Sequence, residues 1–539
     1  MIAATRAAAI PFFRFGGADA PASEPLGIVS GGLILDSGEA DPTFVYRCQD
    51  RYLTYTGLAG LRTVFFVIDD AHARRYHALV ERHAERYELV AKWTGALPSD
   101  AIREPLYVAC DAGTMTVAAC ETFERQVREL RDGAPVELRF NQISPTTARL
   151  AAQLDELLAA NGVPTQFDRG ACHAAGALAL FVHDKARAAA LAQRAGADAP
   201  PRHADTAFLS PTELLGTDSW EQLAARFAER SGDTRPPAAL YVKSSRDSGG
   251  NVAARLDAAT FGDRIGALRD ALVRDVLCEA VDSPERIAQV REEIALAPSL
   301  RHRVYDDATL AAHARARRPR RDGITILVQR AIEAAPGADG FAGIGLSYAV
   351  EAPDRVVAVA VSAQTYKDAE RHHFLGSLLD DEIARALPPE FTAGMEALCA
   401  RYASIGYRGP INFDARLDAD GRYVLIHDCN PRLSAVFPAL AVRAALQDAG
   451  LPARRVLSLG YRGELVCADI AAFLAALDVR GLLYTAERPH GVVVLPNLAR
   501  DGGLDALLVN AGDAEVPRVL AALRASASDA GAAPERVYA

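Results

Sequence analysis

The chain has 539 residues, half of them hydrophobic and 24% charged, and a net charge of −10. That length and apolar content can bury several cores, which excludes global disorder, and the acidic balance argues against a general nucleic-acid binder. No uncharged apolar run approaches the ~18 residues of a membrane span, so an integral membrane protein is excluded as well.

The segment Met1–Phe13 carries one Arg and breaks at Pro11, which makes a poor signal peptide. The eight cysteines include no C-x-x-C pair, which speaks against a zinc site or a disulfide framework. A reduced, cytoplasmic protein is expected. Residues 1–45, rich in Gly, Ala, Pro and Ser, read as a strand and loops. Thr63–Ile68 is short, apolar and β-branched, the pattern of a buried strand. A helix is expected from Asp69-Asp70 to about Tyr87, then strands near Tyr87–Ala91 and Pro105–Val108. Ala148–Ala160 reads as a helix stopped at Asn161-Gly162. Strands alternating with helices predict an open α/β domain over roughly 1–170.

His183–Ala195 is predicted helical, and Ala239–Ser244 is a strand running into Ser245-Arg-Asp-Ser248-Gly249-Gly250-Asn251. Residues 256–322 read as mostly helical and charged. Strands are expected at Ile324–Ile332, Val356–Gln364, Ile411–Leu417 and Tyr423–His427. Gln364–His373 reads as a polar loop, either substrate-facing or simply solvated. A helix near Ala468–Leu477 and strands near Gly491–Leu495 and Leu507–Val509 complete the chain.

Familiar catalytic signatures are missing. No Gly-Lys dipeptide occurs, so there is no Walker-type phosphate loop, and there is no H-E-x-x-H. Gly345-Leu-Ser347-Tyr-Ala349 lacks the last glycine of a nucleophile elbow, and Gly340-Phe-Ala-Gly343-Ile-Gly345 has the wrong spacing for a dinucleotide fingerprint.

The strongest chemical signal lies at 405–434, GYRGPINFDARLDADGRYVLIHDCNPRLSA. Two strands flank the turn Leu417–Gly421, a plausible hairpin. Alternation puts Asn412, Asp414 and Arg416 on one face of the first strand, and Asp428 and Asn430 on one face of the second, with Arg432 beyond. Two carboxylates and an amide oxygen from paired strands suit Mg²⁺, which takes a few carboxylates plus phosphate oxygens and water. Asp418 and Asp420 read instead as a solvated turn. Lys243 ends an apolar strand before a glycine-containing loop whose amides can fold over phosphates. Asp184-Lys185 opens a helix. Taken alone, Lys243 reads better as an exposed strand-end lysine, and Asp184-Lys185 is a weaker signal still.

Taken in order, Lys185, Lys243, Gln329, Asp414, Asp428-Cys-Asn430 and Arg432 resemble the ATP-grasp superfamily over about 180–450. The resemblance implies an N-terminal open α/β pre-ATP-grasp domain at 1–178, a two-subdomain ATP-grasp core at 179–450 and a small C-terminal α/β domain at 451–539. It implies ATP and two Mg²⁺ ions. Nucleotide would be held by Lys185, Lys243, Ser248, Gly249, Gly250, Gln329, Arg330, Ile332 and Glu333, metal by Asp414, Asp428 and Asn430, and catalysis would fall to Arg432, Arg416 and Lys243. The sequence departs from the pattern in three ways. Asp428 stands where Glu is usual, Gln329 where an acid is common (Glu333 is a substitute), and the charged insertion at about 256–322 carries a basic run at 315–321. That run is either an anion- or carrier-binding element or a solvated insertion.

The implied activity joins a carboxylate, activated as an acylphosphate, to an amine, with release of ADP and phosphate. DCNPRLSA and HGVVVLPNLARDGGLDALLVNAG resemble peptide ligases of the pheganomycin type, which points to specialised metabolism. Small-molecule carboxylate and amine substrates, no nucleic acid and no membrane are the expected partners, and a homodimer is compatible with them. Two other activities stay open: loading an amino acid onto a carrier-protein thiol, and non-catalytic nucleotide binding for regulation.

Overall fold

The computed structural model describes residues 10–16, 25–29, 52–67, 70–111, 116–131, 135–193, 201–245, 253–272, 325–333, 343–366, 374–459, 465–498 and 503–529. Ser248, Gly249, Gly250, the basic run at 315–321 and residues 367–373 lie outside them. The fold class is the expected mixed α/β, built on three sheets.

The first sheet has seven strands. Pro25–Ile28, Arg62–Val67, Leu106–Asp111 and Val136–Phe140 run parallel at its centre; Thr116–Ala119 closes one edge antiparallel, and at the other Phe13–Arg14 pairs antiparallel and Thr165–Gln166 parallel with Val136–Phe140. Arg62–Val67 is buried at every position, as a strand covered on both faces must be. No strand forms at 87–91. One helix runs from Asp70 to Thr94. Tyr87, Val90, Ala91 and Thr94 are its buried residues there, at the i, i+3, i+4, i+7 spacing of a helix face, so helical periodicity overrides the local apolar run.

The predicted helix at 148–160 runs over Pro145–Ala160. The Ser144 side chain caps it, and it ends at Asn161. The helix expected over His183–Ala195 forms at Lys185–Gln193, and His183 is the last residue of a preceding helix, Arg169–His183, from which Asp184 separates it. The Asp184 carboxylate accepts from the Ala186 and Arg187 amides at 3.1 and 3.3 Å, so it caps the second helix and makes Lys185 its first residue.

The second sheet is antiparallel, in the order Ala253–Asp257, Ala239–Ser244, Ile326–Arg330, Thr206–Leu209. Leu240, Val242, Ile326 and Val328 supply its core. Ala253–Asp257 is a strand that runs two residues into the stretch expected to be mostly helical; Phe261–Ala271 is helical as expected, and residues 273–322 lie outside the described residues.

The third sheet has nine strands. Its order is Tyr423–Asn430, Gly409–Leu417, Gly343–Ala352, Arg355–Tyr366, Phe374–Asp380, Arg455–Leu459, Gly503–Val509 and Leu465–Val466, with Gly491–Pro496 also paired to Gly503–Val509. The four strands beyond residue 450 therefore extend the sheet that holds Gly409–Asn430. No described helix is long and apolar enough to cross a membrane.

Candidate functional site

The hairpin read from the sequence forms, and its register brings the polar residues face to face. Asn412 pairs with Asn430 and Asp414 with Asp428. Directly opposed residues share a face, so the two carboxylates and the two amides form one patch. Beyond Asp414 the register slips, and Ala415 pairs with Leu425. Ile426 and His427 form a bulge, and His427 takes a positive φ of 50°, unusual for a residue with a side chain. The Leu417–Gly421 turn is local structure: the Asp418 carboxylate accepts from the Asp420 and Arg422 amides, as expected for a surface turn.

The bulge presents the Ile426 carbonyl to the second sheet, where the Lys243 ammonium donates to it at 2.6 Å. Lys243 is buried, and burial pulls its pKa down to about 8; Asp428 and Asp414 oppose this shift while Lys185 and Arg416 reinforce it. The field around Lys243 thus names its neighbours: both carboxylates, the second lysine and Arg416. Lys185 is held near by backbone, its amide donating to the Ser245 carbonyl at 2.8 Å. Ser245 in turn exchanges hydrogen bonds with Thr325, tying the start of the 244–251 loop to the entry of the Ile326–Arg330 strand.

Asp414 is the mirror case. Desolvation first, and the Asp428 charge second, raise its carboxyl pKa to about 7. Two amides hold its Oδ1, Gln364 Nε2 at 2.8 Å and Asn412 Nδ2 at 3.1 Å, and Ser347 donates to the Asn412 carbonyl at 3.0 Å. At residue 345, a Cβ would lie 3.1 Å from Ser362 Oγ, 3.4 Å from Asn412 Oδ1 and 3.7 Å from Asp414 Oδ1. Glycine leaves that oxygen-lined space open.

The N-terminal domain reaches the same patch. Gln142 bridges Arg432, and the Leu433 amide donates to the Asn141 carbonyl at 2.9 Å. Asn141 follows Val136–Phe140, so Arg432 lies at the carboxyl end of the parallel sheet, the end at which open α/β sheets bind ligands. Arg432 donates to Asn430 Oδ1 at 3.3 Å. His183 lies under Lys185 and Arg432; burial, then those two cations, push it well below its ordinary pKa. It is 1% exposed, a core position.

Lys185, Lys243, Asp414, Arg416, Asp428, Asn430 and Arg432 are thus brought together. The hinge residues are not so placed. Gln329 is buried and donates to Thr206 across the sheet at 3.1 Å. The Arg330 guanidinium is committed to Asp233 and the Arg235 carbonyl and stacks over Phe227, and its amide donates to the Asp205 carbonyl at 2.9 Å. Ile332 is half-buried and Glu333 exposed. Gln364 and Gly345 join the site without a motif of their own in the sequence. The polar segment beginning at Gln364 was the one signal, and its first residue is a strand residue reaching Asp414.

Among the described residues no cluster of three or more His, Cys, Asp or Glu surrounds one point. A cation placed here would have the Asp414 and Asp428 carboxylates and the neighbouring amide oxygens within its reach, beside the open space over Gly345. That all-oxygen donor set fits Mg²⁺, or Mn²⁺ in its place, rather than a metal that seeks thiolate or imidazole ligands.

No family model and no curated protein matches the chain. Solved structures similar to it include N5-carboxyaminoimidazole synthetase from Staphylococcus aureus, at 10% identity and a TM-score of 0.40, covering 95% of this chain and 100% of that one. N5-carboxyaminoimidazole ribonucleotide synthetase from Thermus thermophilus is 13% identical with a TM-score of 0.38, over 95% and 100%. L-Amino acid ligase from Bacillus licheniformis is 12% identical with a TM-score of 0.36, over 82% and 81%. These are distant likenesses, and the reading below rests on the side chains described above.

Proposed function

We propose that the chain is an ATP-grasp carboxylate–amine ligase that releases ADP and phosphate. It is divided into a pre-ATP-grasp domain at 1–178, a core at 179–450 and a C-terminal domain at 451–539. The observation that supports this is the juxtaposition of the buried Lys243 ammonium with the opposed Asp414–Asp428 pair, with Arg432 at the end of the same strand line. A buried ammonium beside two carboxylates, of which Asp414 is desolvated, is costly as a purely structural feature. The same set is well suited to a polyphosphate and its divalent counter-ion.

In this reading Lys185 and Lys243 hold phosphate oxygens of ATP, together with Ser248, Gly249 and Gly250. The backbone around Gln329, Arg330, Ile332 and Glu333 receives the adenosine. Asp414, Asp428 and Asn430 would hold two Mg²⁺ ions, which would supply positive charge to offset that of the polyphosphate. A carboxylate oxygen of the substrate attacks the γ-phosphorus, the bond to the bridging oxygen breaks, and ADP leaves. The amine then attacks the acyl carbon, loses a proton and displaces phosphate. Phosphoryl transfer asks the protein for positioning and charge more than for covalent chemistry. Arg432 stabilises the charge on the transferring phosphoryl or the acyl oxygen, and Arg416 orients the substrate carboxylate. Amino acids or peptides of specialised metabolism, in the cytoplasm, are the proposed substrates. Release of ADP and phosphate across amino acids and small peptides tests the reading. AMP and pyrophosphate as the products would refute it.

A further inference from the structure

The hydrogen bond from Gln364 to Asp414 crosses a strand. Gly343–Ala352 lies between the strands that carry the two residues: Gly345 pairs with Asp414 on one side and with Ser362 on the other, and Ile344 pairs with Ala363. Gln364 therefore stands on the same face as Ser362 and reaches past the middle strand to donate to Asp414 Oδ1 at 2.8 Å. Gly345 makes this reach possible. A Cβ there would sit between Ser362 Oγ and Asp414 Oδ1, at 3.1 and 3.7 Å. Gly343 is bare on the same face, two residues earlier. The Gly-Ile-Gly that fails as a dinucleotide fingerprint is a gap in the side-chain layer.

We propose that Gln364 is a positioning residue for the Asp414 carboxylate, acting through the gap at Gly345. The inference rests on the ligase reading, in which Asp414 is a metal ligand. Asp414 and Asp428 are cross-strand partners of like charge, an arrangement in which the carboxylates tend to rotate apart. Two amide donors, Gln364 and Asn412, hold Oδ1 from the protein side. That fixes the plane of the carboxylate and leaves Oδ2 for the cation. Asn412 is in turn oriented by Ser347, so one chain of hydrogen bonds crosses three strands beneath the site. Partners of a metal-ligating carboxylate commonly set metal affinity by such orientation.

The test measures Mn²⁺ binding by electron paramagnetic resonance in the presence of a non-hydrolysable ATP analogue. It uses full-length protein and the variants Gln364→Leu, Gln364→Met and Gly345→Ala. Each Gln364 variant is expected to weaken Mn²⁺ binding ~10- to 100-fold, with a melting temperature near that of the unsubstituted protein. In turnover, the Mg²⁺ concentration for half-maximal rate should rise, while kcat at saturating Mg²⁺ is largely recovered. A merely structural glutamine would lower stability without this split. Gly345→Ala, which obstructs the gap from a different strand, should shift Mn²⁺ binding in the same direction. Unchanged Mn²⁺ binding in the folded Gln364 variants would overturn the proposal. If the unsubstituted protein itself shows no nucleotide-dependent Mn²⁺ binding, the ligase reading is what fails.

Discussion

Replacing Lys243 with Met separates the structural role of the buried ammonium from its role toward phosphate. Burial holds its pKa at about 8 against an ordinary 10.5. That difference of roughly 2.5 units corresponds to about 3 kcal/mol set against the charged form in the folded protein. The sign follows from proton binding. Between pH 8 and 10.5 the unfolded chain keeps this proton and the folded protein has lost it, so stability rises with pH through that window. Below it both states are protonated and the full penalty is present. Methionine removes the penalty but leaves the Ile426 carbonyl without its donor, at a cost of about 1–3 kcal/mol. The two effects nearly cancel at neutral pH, where the variant should lie within about 2 kcal/mol of the unsubstituted protein. On going from about pH 7 to about pH 10 the unsubstituted protein should gain about 3 kcal/mol relative to the variant. Urea unfolding of both proteins across that range measures the difference, and side chains common to both cancel. ATP-dependent ADP release should fall by at least ~100-fold in the variant at neutral pH, where Lys243 is charged. A stability difference that does not vary with pH would refute the account of a charged, desolvated lysine. Full ADP release by folded Lys243→Met would refute its role toward phosphate.

Three other outcomes are expected. Asp428→Asn should stay folded, because it relieves like-charge opposition to Asp414, and should lose ADP release; normal turnover by the folded variant would remove the metal assignment. Gly409→Ala should destabilise the protein by about 2–4 kcal/mol, since Gly409 has φ 124° and an added Cβ would overlap the Phe13 ring; thermal unfolding measures it, and a loss confined to a few tenths would show that the N-terminal strand does not seat there. Amide exchange over 244–251 should slow on adding a non-hydrolysable ATP analogue with Mg²⁺, as backbone amides engage phosphate; slowing confined to 315–321 would place the phosphates elsewhere.

What the sequence disclosed follows the range of the interactions involved. Local signals held: Asp184 caps a helix that begins at Lys185, Ala239–Ser244 is the strand that carries Lys243, and Asn161 ends the helix that Ser144 begins. The helix Arg169–His183 that precedes Asp184 was not expected from the sequence. Residues 87–91 show the opposite error, in which a short apolar run has the look of a strand until its residues are counted at helical spacing. Non-local pairings were the least legible. Nothing in Gly343-Ile-Gly345 says that it lies between Asp414 and Ser362, and nothing local to Gln364 says that it reaches Asp414. Likewise, the strands after residue 450 join the sheet of the hairpin through a partner, Phe374–Asp380, that lies more than one element earlier.

The hairpin explains why the carboxylates could be read at all. Its bulge is large: two residues, Ile426 and His427, have no partner on the facing strand. A bulge of one residue would invert every side chain beyond it and carry Asp428 and Asn430 to the opposite face from Asp414. A bulge of two preserves the alternation, so period-two counting along Tyr423–Asn430 puts Asp428 and Asn430 on the correct face even though the ladder is interrupted. The extra pair also has work that an uninterrupted ladder cannot do. In a regular strand the Ile426 carbonyl would point along the sheet toward a neighbour; released from the ladder, it accepts the Lys243 ammonium from the second sheet. The same irregularity therefore keeps the carboxylate face in register and brings the lysine of the other sheet to it.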